Sequence, residues 1–431
     1  MIIGGLPGPP LFRYKMKKLI VFAAALALVP AVLSAQETAS HFKLYGFIRN
    51  YAFVDSRATK SLTEDIFFFV PLDRNEVGGQ DLNAVPSYNY QAITTRLGLD
   101  ILGYRYGNTR INAKIESDFF CLNSSGNTGT LRMRQAYLDL LWDNVGGDAN
   151  LDYSLRIGQA WHPLAADMAH TIALETGAPF SPFNRSAQVM FGATFSKKLT
   201  LNFGLLQQLQ FRSAGPNGAS NVYQRHAIPE LYAGVSYTSG GFLGRAGISV
   251  LSIRPRYGFT SDGKAYNEWL TTVNPFIYAQ YTKGKFQVKA KTVLAQAGEH
   301  MQLNSGYAVT GLKEDGLSYE YSPVHSSVSF VSAQYGKTWQ VLGMIGYQKN
   351  LGTFREVTGP VYFSGNGFKN INQMFRVSPT VAYNLGKLQF ALEYDFTGVE
   401  YGDDPDKFLD VKENLHWVGN HRLLAMAKFT F

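Results

Sequence analysis

The chain has 431 residues, a formal charge of +8 and a single cysteine, Cys121, and it is rich in aromatics, with 25 Tyr and 30 Phe beside 42 Gly. A lone thiol excludes a disulfide framework and with it the small stapled folds. Residues 1–35 hold Arg13, Lys15, Lys17 and Lys18 and no acid, so the remainder carries +4 without a basic block, which argues against nucleic-acid binding.

In chain order, residues 1–15 read as an extension from an upstream start codon. Met16-Lys-Lys then opens a charged segment, and Leu19 to Leu28 is an uninterrupted apolar run closed by Pro30. With small residues at Ser34 and Ala35, residues 16–35 are expected to be a secretory signal peptide cleaved after one of those two. The apolar run is shorter than the roughly 20 residues a spanning helix needs, and no second such run follows. The exported part, 36–431, is therefore expected to be either soluble or a barrel.

Period-two alternation predicts about sixteen strands of the length a tilted membrane strand requires. They are 42–54, 91–102, 109–120, 131–143, 151–162, 187–196, 199–211 and 227–238, followed by 242–255, 271–282, 286–298, 326–336, 339–351, 373–384, 388–400 and 417–431. The alternation is poor in 271–282 and 326–336, so fourteen or eighteen strands are also compatible. Short turns such as Ser196-Lys-Lys, Ser239-Gly-Gly and Lys283-Gly-Lys alternate with long loops at 55–90, 121–130, 163–186, 212–226, 256–270, 299–325, 352–372 and 401–416. Short turns on one rim and long loops on the other predict an all-β transmembrane antiparallel barrel. A soluble sandwich gives no reason for that sorting. Both termini fall on the short-turn, periplasmic side.

Charges within the strands are expected to face inward, because a lysine or arginine facing lipid at the midplane costs about 2–4 kcal/mol. In 109–120, Arg110, Asn112, Lys114, Glu116 and Asp118 oppose Ile111, Ala113, Ile115 and Phe119. Arg96 and Asp100 oppose Leu97, Leu99 and Ile101. Lys289 and Lys291 oppose Val288 and Ala290, Arg376 opposes Phe375 and Val377, and Glu393 and Asp395 oppose Leu392, Tyr394 and Phe396. Arg49, Arg156, Arg245, Arg422 and Lys428 join the inward bases, and Asp152 and Glu230 the acids. Such an interior must be wet. Bases outnumber acids there, which predicts an anion preference; the competing reading is that wall charges pair and cancel. In 131–143 the faces conflict, since Leu131, Met133 and Leu141 share a side with Asp139, so the roles of Arg132 and Arg134 stay open, as does a subunit contact.

Loop 163–186 is too apolar for a solvent loop and is expected to fold into the lumen, with Asp167, His170, Glu175 and Arg185 as constriction groups. Packing beneath subunit neighbours is the alternative. Phe67-Phe-Phe-Val-Pro is read as a latch sealing a subunit contact. At the end of the chain, Leu423, Ala425, Ala427, Phe429 and Phe431 share one face, as in a terminal strand that closes a barrel.

Leu44-Tyr-Gly-Phe-Ile-Arg, Lys114-Ile-Glu-Ser-Asp-Phe-Phe, Leu131-Arg-Met-Arg-Gln-Ala-Tyr-Leu-Asp-Leu and Leu155-Arg-Ile-Gly-Gln-Ala-Trp-His-Pro-Leu occur in that order. Over about residues 42–165 this resembles the Gram-negative general trimeric porins, especially the DcaP-like group. The resemblance implies a sixteen-stranded outer-membrane channel and a homotrimer, with the third loop folded inward toward wall bases at Arg96, Arg132 or Arg134, and Arg156. It also implies a terminal strand, ending in Phe431, that barrel-insertion machinery reads, and contact with outer-membrane lipid and lipopolysaccharide. The N-terminal coiled coil associated with that group has no counterpart in Gln36 to Ser40.

Passive diffusion of small polar or anionic solutes is the expected function. A surface-binding or adhesion barrel using loops 55–90 and 299–325 is the alternative. A hydrolase is a lesser one, because His162, His170, His325, His416 and His421 sit in no nucleophile motif. No cofactor, metal site or catalytic group is expected.

Overall fold

The structure, a computed structural model, describes residues 41–62, 65–120, 122–123, 126–173 and 177–431. The expected extension, the signal peptide and Glu175 lie outside the described residues. Sixteen antiparallel strands form one closed sheet. They are β1 Phe42–Asp55, β2 Arg96–Tyr106, β3 Thr109–Asp118, β4 Arg132–Trp142, β5 Leu151–Trp161, β6 Arg185–Phe195, β7 Leu199–Gln208 and β8 Glu230–Ser239. The ring continues through β9 Phe242–Ile253, β10 Leu270–Lys283, β11 Phe286–Gln296, β12 His325–Gly336, β13 Trp339–Gly352, β14 Ile371–Leu385, β15 Leu388–Tyr401 and β16 His416–Thr430. Every expected strand is present, including the two that alternate poorly.

β1 closes the ring. Its first half pairs with β2 from Phe42↔Ile101 to Phe47↔Arg96, and its remainder pairs with β16 from Phe47↔Thr430 to Asp55↔Arg422. Ser87–Gln91 also pairs with β1, so β2 has an upper continuation broken at Ala92–Thr95. The short turns lie where expected. Gly240 and Gly241 hold φ 55° and 85°, the left-handed pair that a two-residue hairpin turn requires.

The walls are apolar outside and polar inside. Ile277 and Ile345 are 63% and 61% exposed on the outer face, while their neighbours Tyr278 and Met344 are buried inside. Phe195, Tyr237, Phe242, Tyr281, Phe286 and Trp339 are exposed beside the short turns, forming an aromatic belt at one rim.

The faces of β4 conflict in sequence because the strand is bulged. Its register against β3 shifts between Met133 and Gln135. Arg132 and Arg134 face inward before the shift, and Tyr137 and Asp139 face inward after it, because one extra residue swaps the faces.

Three long loops fold into the barrel. The third, between β5 and β6, crosses to the far wall. There the Glu393 carboxylate accepts from Ile172 N at 2.6 Å and Ala173 N at 2.8 Å, and Tyr51 Oη donates to Ile172 O at 2.9 Å. In the first loop, Phe67–Pro71 pairs with Thr59–Leu62 and packs inside its own barrel, with Ile66 to Val70 all buried. This corrects the reading of that segment as an intersubunit latch. In the sixth loop, Gly298 to Ser305 is buried, with Phe183 N donating to Met301 O at 2.9 Å. The third loop folds inward as expected, and with the first loop and the wall residues Tyr51 and Tyr401 it builds an apolar core inside a polar-walled barrel, around Phe67, Phe69, Phe180 and Phe183.

Candidate functional site

Where the third loop leaves the wall open, the inner faces of β1 to β5 converge on a cavity of about 130 Å³. Its charged lining is Arg49, Arg96, Arg132 and Arg134 against Glu116 and Asp118, a surplus of two positive charges. Arg134 Nε bonds Glu116 Oε1 at 2.7 Å, and Arg132 reaches both oxygens of Asp118 at 3.0 Å through Nε and Nη2. Arg96 Nη1 lies 3.9 Å from Glu116 Oε2. Arg49 Nε donates to Thr94 Oγ1 at 3.0 Å, which places the break in β2 beside the cavity. Phe120, Trp161, Met168 and Phe183 complete the lining.

Each carboxylate here is shared by more than one base, so the arrangement holds several guanidinium groups close together at fixed positions. The guanidinium groups of this array present planar N–H donors that match the oxygens of carboxylate and phosphate groups. Arg185 extends it beneath the wall. It stacks on Trp161 at 3.9 Å and donates from Nη1 to Gln210 Oε1 at 2.7 Å, while its buried Nε and Nη2 have no hydrogen-bond partner among the described residues.

A second cavity, of about 390 Å³, lies along β4 to β10 and is lined by Arg156, Asp139 and Arg245 together with Pro163 and Ala166 of the third loop. Pairing dominates here and elsewhere on the inner wall. Arg156 Nε bonds Asp139 at 2.8 Å, Arg245 Nη1 bonds Asp167 at 2.8 Å, and Lys114 bonds Asp100 at 2.7 Å. Arg110 pairs with Asp143 at 3.1 Å near the short-turn rim.

Several expected lining groups sit elsewhere. Asp167 turns toward β9 and not toward the arginine cavity, because Arg245 holds it there. Lys291 is buried and donates to Leu164 O and Asp167 O, and Lys289 donates to Met168 O at 3.1 Å, so both lysines tie down the loop backbone. His170 anchors through its own N to Ser332 Oγ at 3.2 Å, and burial beside Lys289 pushes its imidazole down to about 4, leaving it uncharged at neutral pH. Arg376, Glu393, Asp395 and Arg422 do face inward, but the first and third loops cover them and all four are buried.

Among the described residues, the arrangement that suggests hydrolysis is His162, Glu230 and Ser249, all buried. His162 Nδ1 accepts from Leu164 N at 3.1 Å, so Nε2 carries the proton it donates to Glu230 at 2.9 Å. Ser249 Oγ donates to the same carboxylate oxygen. Serine and histidine therefore share an acceptor and are not paired with each other as nucleophile and base.

Sequence reasoning missed Phe120, Trp161, Met168 and Phe183, since apolar lining residues carry no chemical signature, and Thr94, which lies in the break of β2 outside the alternating strands. It also missed the inward first loop, although Ile66 to Val70 is as apolar as the third loop.

A closed antiparallel barrel with an apolar outer wall, a charged inner wall and an inward third loop is the porin type of architecture. Among solved structures the chain is similar to the outer membrane channel DcaP of Acinetobacter baumannii, at 17% identity and TM-score 0.63, covering 90% of this chain and 97% of that one. It is similar also to the outer-membrane-expressed OmpT of Vibrio cholerae, at 12% identity and TM-score 0.50, with the same coverage. At these identities the likeness is one of fold. No protein-family model and no curated protein matches the chain.

Proposed function

We propose that this chain is a Gram-negative outer-membrane channel for passive diffusion of small polar solutes, with a preference for anions. The observation that carries the reading is the arginine cavity between the third loop and β1 to β5, set in a barrel whose outer face is apolar. Four guanidiniums against two carboxylates leave a positive potential in this cavity. The paired wall charges elsewhere contribute little net field, so selectivity rests on this cavity. In this reading the short turns and both termini are periplasmic, and β16 with Phe431 presents the insertion signal. Three copies assemble in the membrane among lipid and lipopolysaccharide. A loop-based adhesion function has less support, because much of the first and sixth loops is folded inside.

Liposome swelling tests the reading. Vesicles holding the folded protein should swell in small neutral and anionic solutes and more slowly in cations of equal size. Equal rates for both charges would remove the anion preference, and no swelling at all would remove the channel.

A further inference from the structure

The first loop does more than cover the wall. Phe68 lies between two guanidiniums, 4.1 Å from Arg376 and 4.4 Å from Arg422 measured to its ring centre. Arg422 Nε and Nη2 bond Asp55 at 2.8 and 2.7 Å, and Nη1 and Nη2 donate to Ile66 O at 3.0 Å and Asp65 O at 2.7 Å. Arg376 donates to Thr397 Oγ1 at 2.8 Å, to Ala178 O at 2.9 Å and to Phe68 O and Phe69 O at 3.3 Å. Tyr401 Oη donates to Pro71 O at 2.7 Å. Phe67 then packs on Phe183 of the third loop at 4.9 Å, which joins the two loops into one apolar body.

Four of the five N–H groups of Arg422 are thus taken by a carboxylate or by backbone carbonyls, and the rings of Phe53 and Phe68 lie over its face. A wall base so buried and so bonded has little left to offer a solute. It adds to the hairpin pairing with Thr59–Leu62 in satisfying and holding the main chain of a segment folded inside the barrel.

From this we propose that Phe67–Pro71 is a fixed partition that closes the β14–β16 side of the lumen and sets the exclusion size, leaving the solute path along the arginine cavity of β1 to β5. The proposal rests on the channel reading above. It assigns size selection to Phe67, Phe68 and Phe69, and gives Arg376 and Arg422 a holding role in place of an anion-selecting one.

The test is single-channel conductance and the size cut-off for neutral sugars, comparing the wild-type protein with Phe68→Ala and with the triple variant Phe67→Ala, Phe68→Ala, Phe69→Ala. Assembly of each is checked by heat-modifiable gel mobility. Opening the second side of the lumen should raise conductance roughly twofold in the triple variant, in proportion to cross-section, and admit larger sugars. Phe68→Ala should give an intermediate rise, and it serves alone if the triple variant does not assemble. Unchanged conductance and cut-off in an assembled variant overturn the partition while leaving the channel intact. A wild-type protein that conducts nothing overturns the channel reading itself.

Discussion

Glu393→Ala should free the third loop. The Glu393 carboxylate is fully buried and accepts from Ile172 N, Ala173 N and Thr380 Oγ1 at 2.6, 2.8 and 2.6 Å. Removing it leaves two buried main-chain donors without an acceptor, and each such orphan costs about 1–3 kcal/mol. The loop's attachment to the far wall should therefore weaken by about 2–6 kcal/mol, offset in part if water enters. Glu393→Gln keeps one oxygen to accept with and should cost roughly half as much. Open-channel current noise reads the loop directly. We expect noise to rise in the order wild type, Gln, Ala, with a lower unfolding temperature in the same order. An alanine variant with wild-type noise and wild-type unfolding would refute the clamp.

Three further outcomes follow from the structure. Burial pushes Glu299 of the sixth loop up to about 8 from an ordinary 4.5, so the folded state binds a proton that the unfolded chain has released. Stability should fall as pH rises between those two values and level off above them, and Glu299→Gln should flatten that slope in thermal unfolding at pH 5, 7 and 9. Gly46→Val should block ring closure, since even a β-carbon there would meet Arg96 O at 2.5 Å and Phe431 Cζ at 2.6 Å; loss of the heat-modifiable band is the check. Ile277→Lys puts a charge on the outer wall and should cost about 2–4 kcal/mol in vesicle-based unfolding, whereas the same change in a soluble barrel would cost almost nothing at an exposed site.

The barrel was legible because its two faces obey different solvents. Lipid outside and water inside force a period of two, and loop length sorts by rim, so all sixteen strands could be placed from residue type alone. The inner wall was legible for the same reason, down to Arg110, Lys114, Glu116 and Asp118 on one face of β3. Strand β4 failed at the bulge by Arg134, because a single inserted residue leaves no mark in composition while reversing every face beyond it. The third loop was legible as an inward one, but the first loop and the partners of both were not, for a different reason. Apolar runs such as Ile66 to Val70 announce that they are buried, but not against what. Asp167 was assigned to the constriction by charge, yet Arg245 on β9 takes it to the other side, and a partner so distant in sequence cannot be read locally. Arg376 and Arg422 were correctly read as inward, but facing inward and meeting solute are different conditions.

The proposed function is a conducting lumen biased toward anions by Arg49, Arg96, Arg132 and Arg134. It is tested most directly by single-channel recording of the folded protein in a planar bilayer under a salt gradient. Discrete conductance steps with a reversal potential favouring chloride are the predicted result. Steps favouring cations would contradict the role given to the arginine cavity, and silence from a folded barrel would contradict the channel.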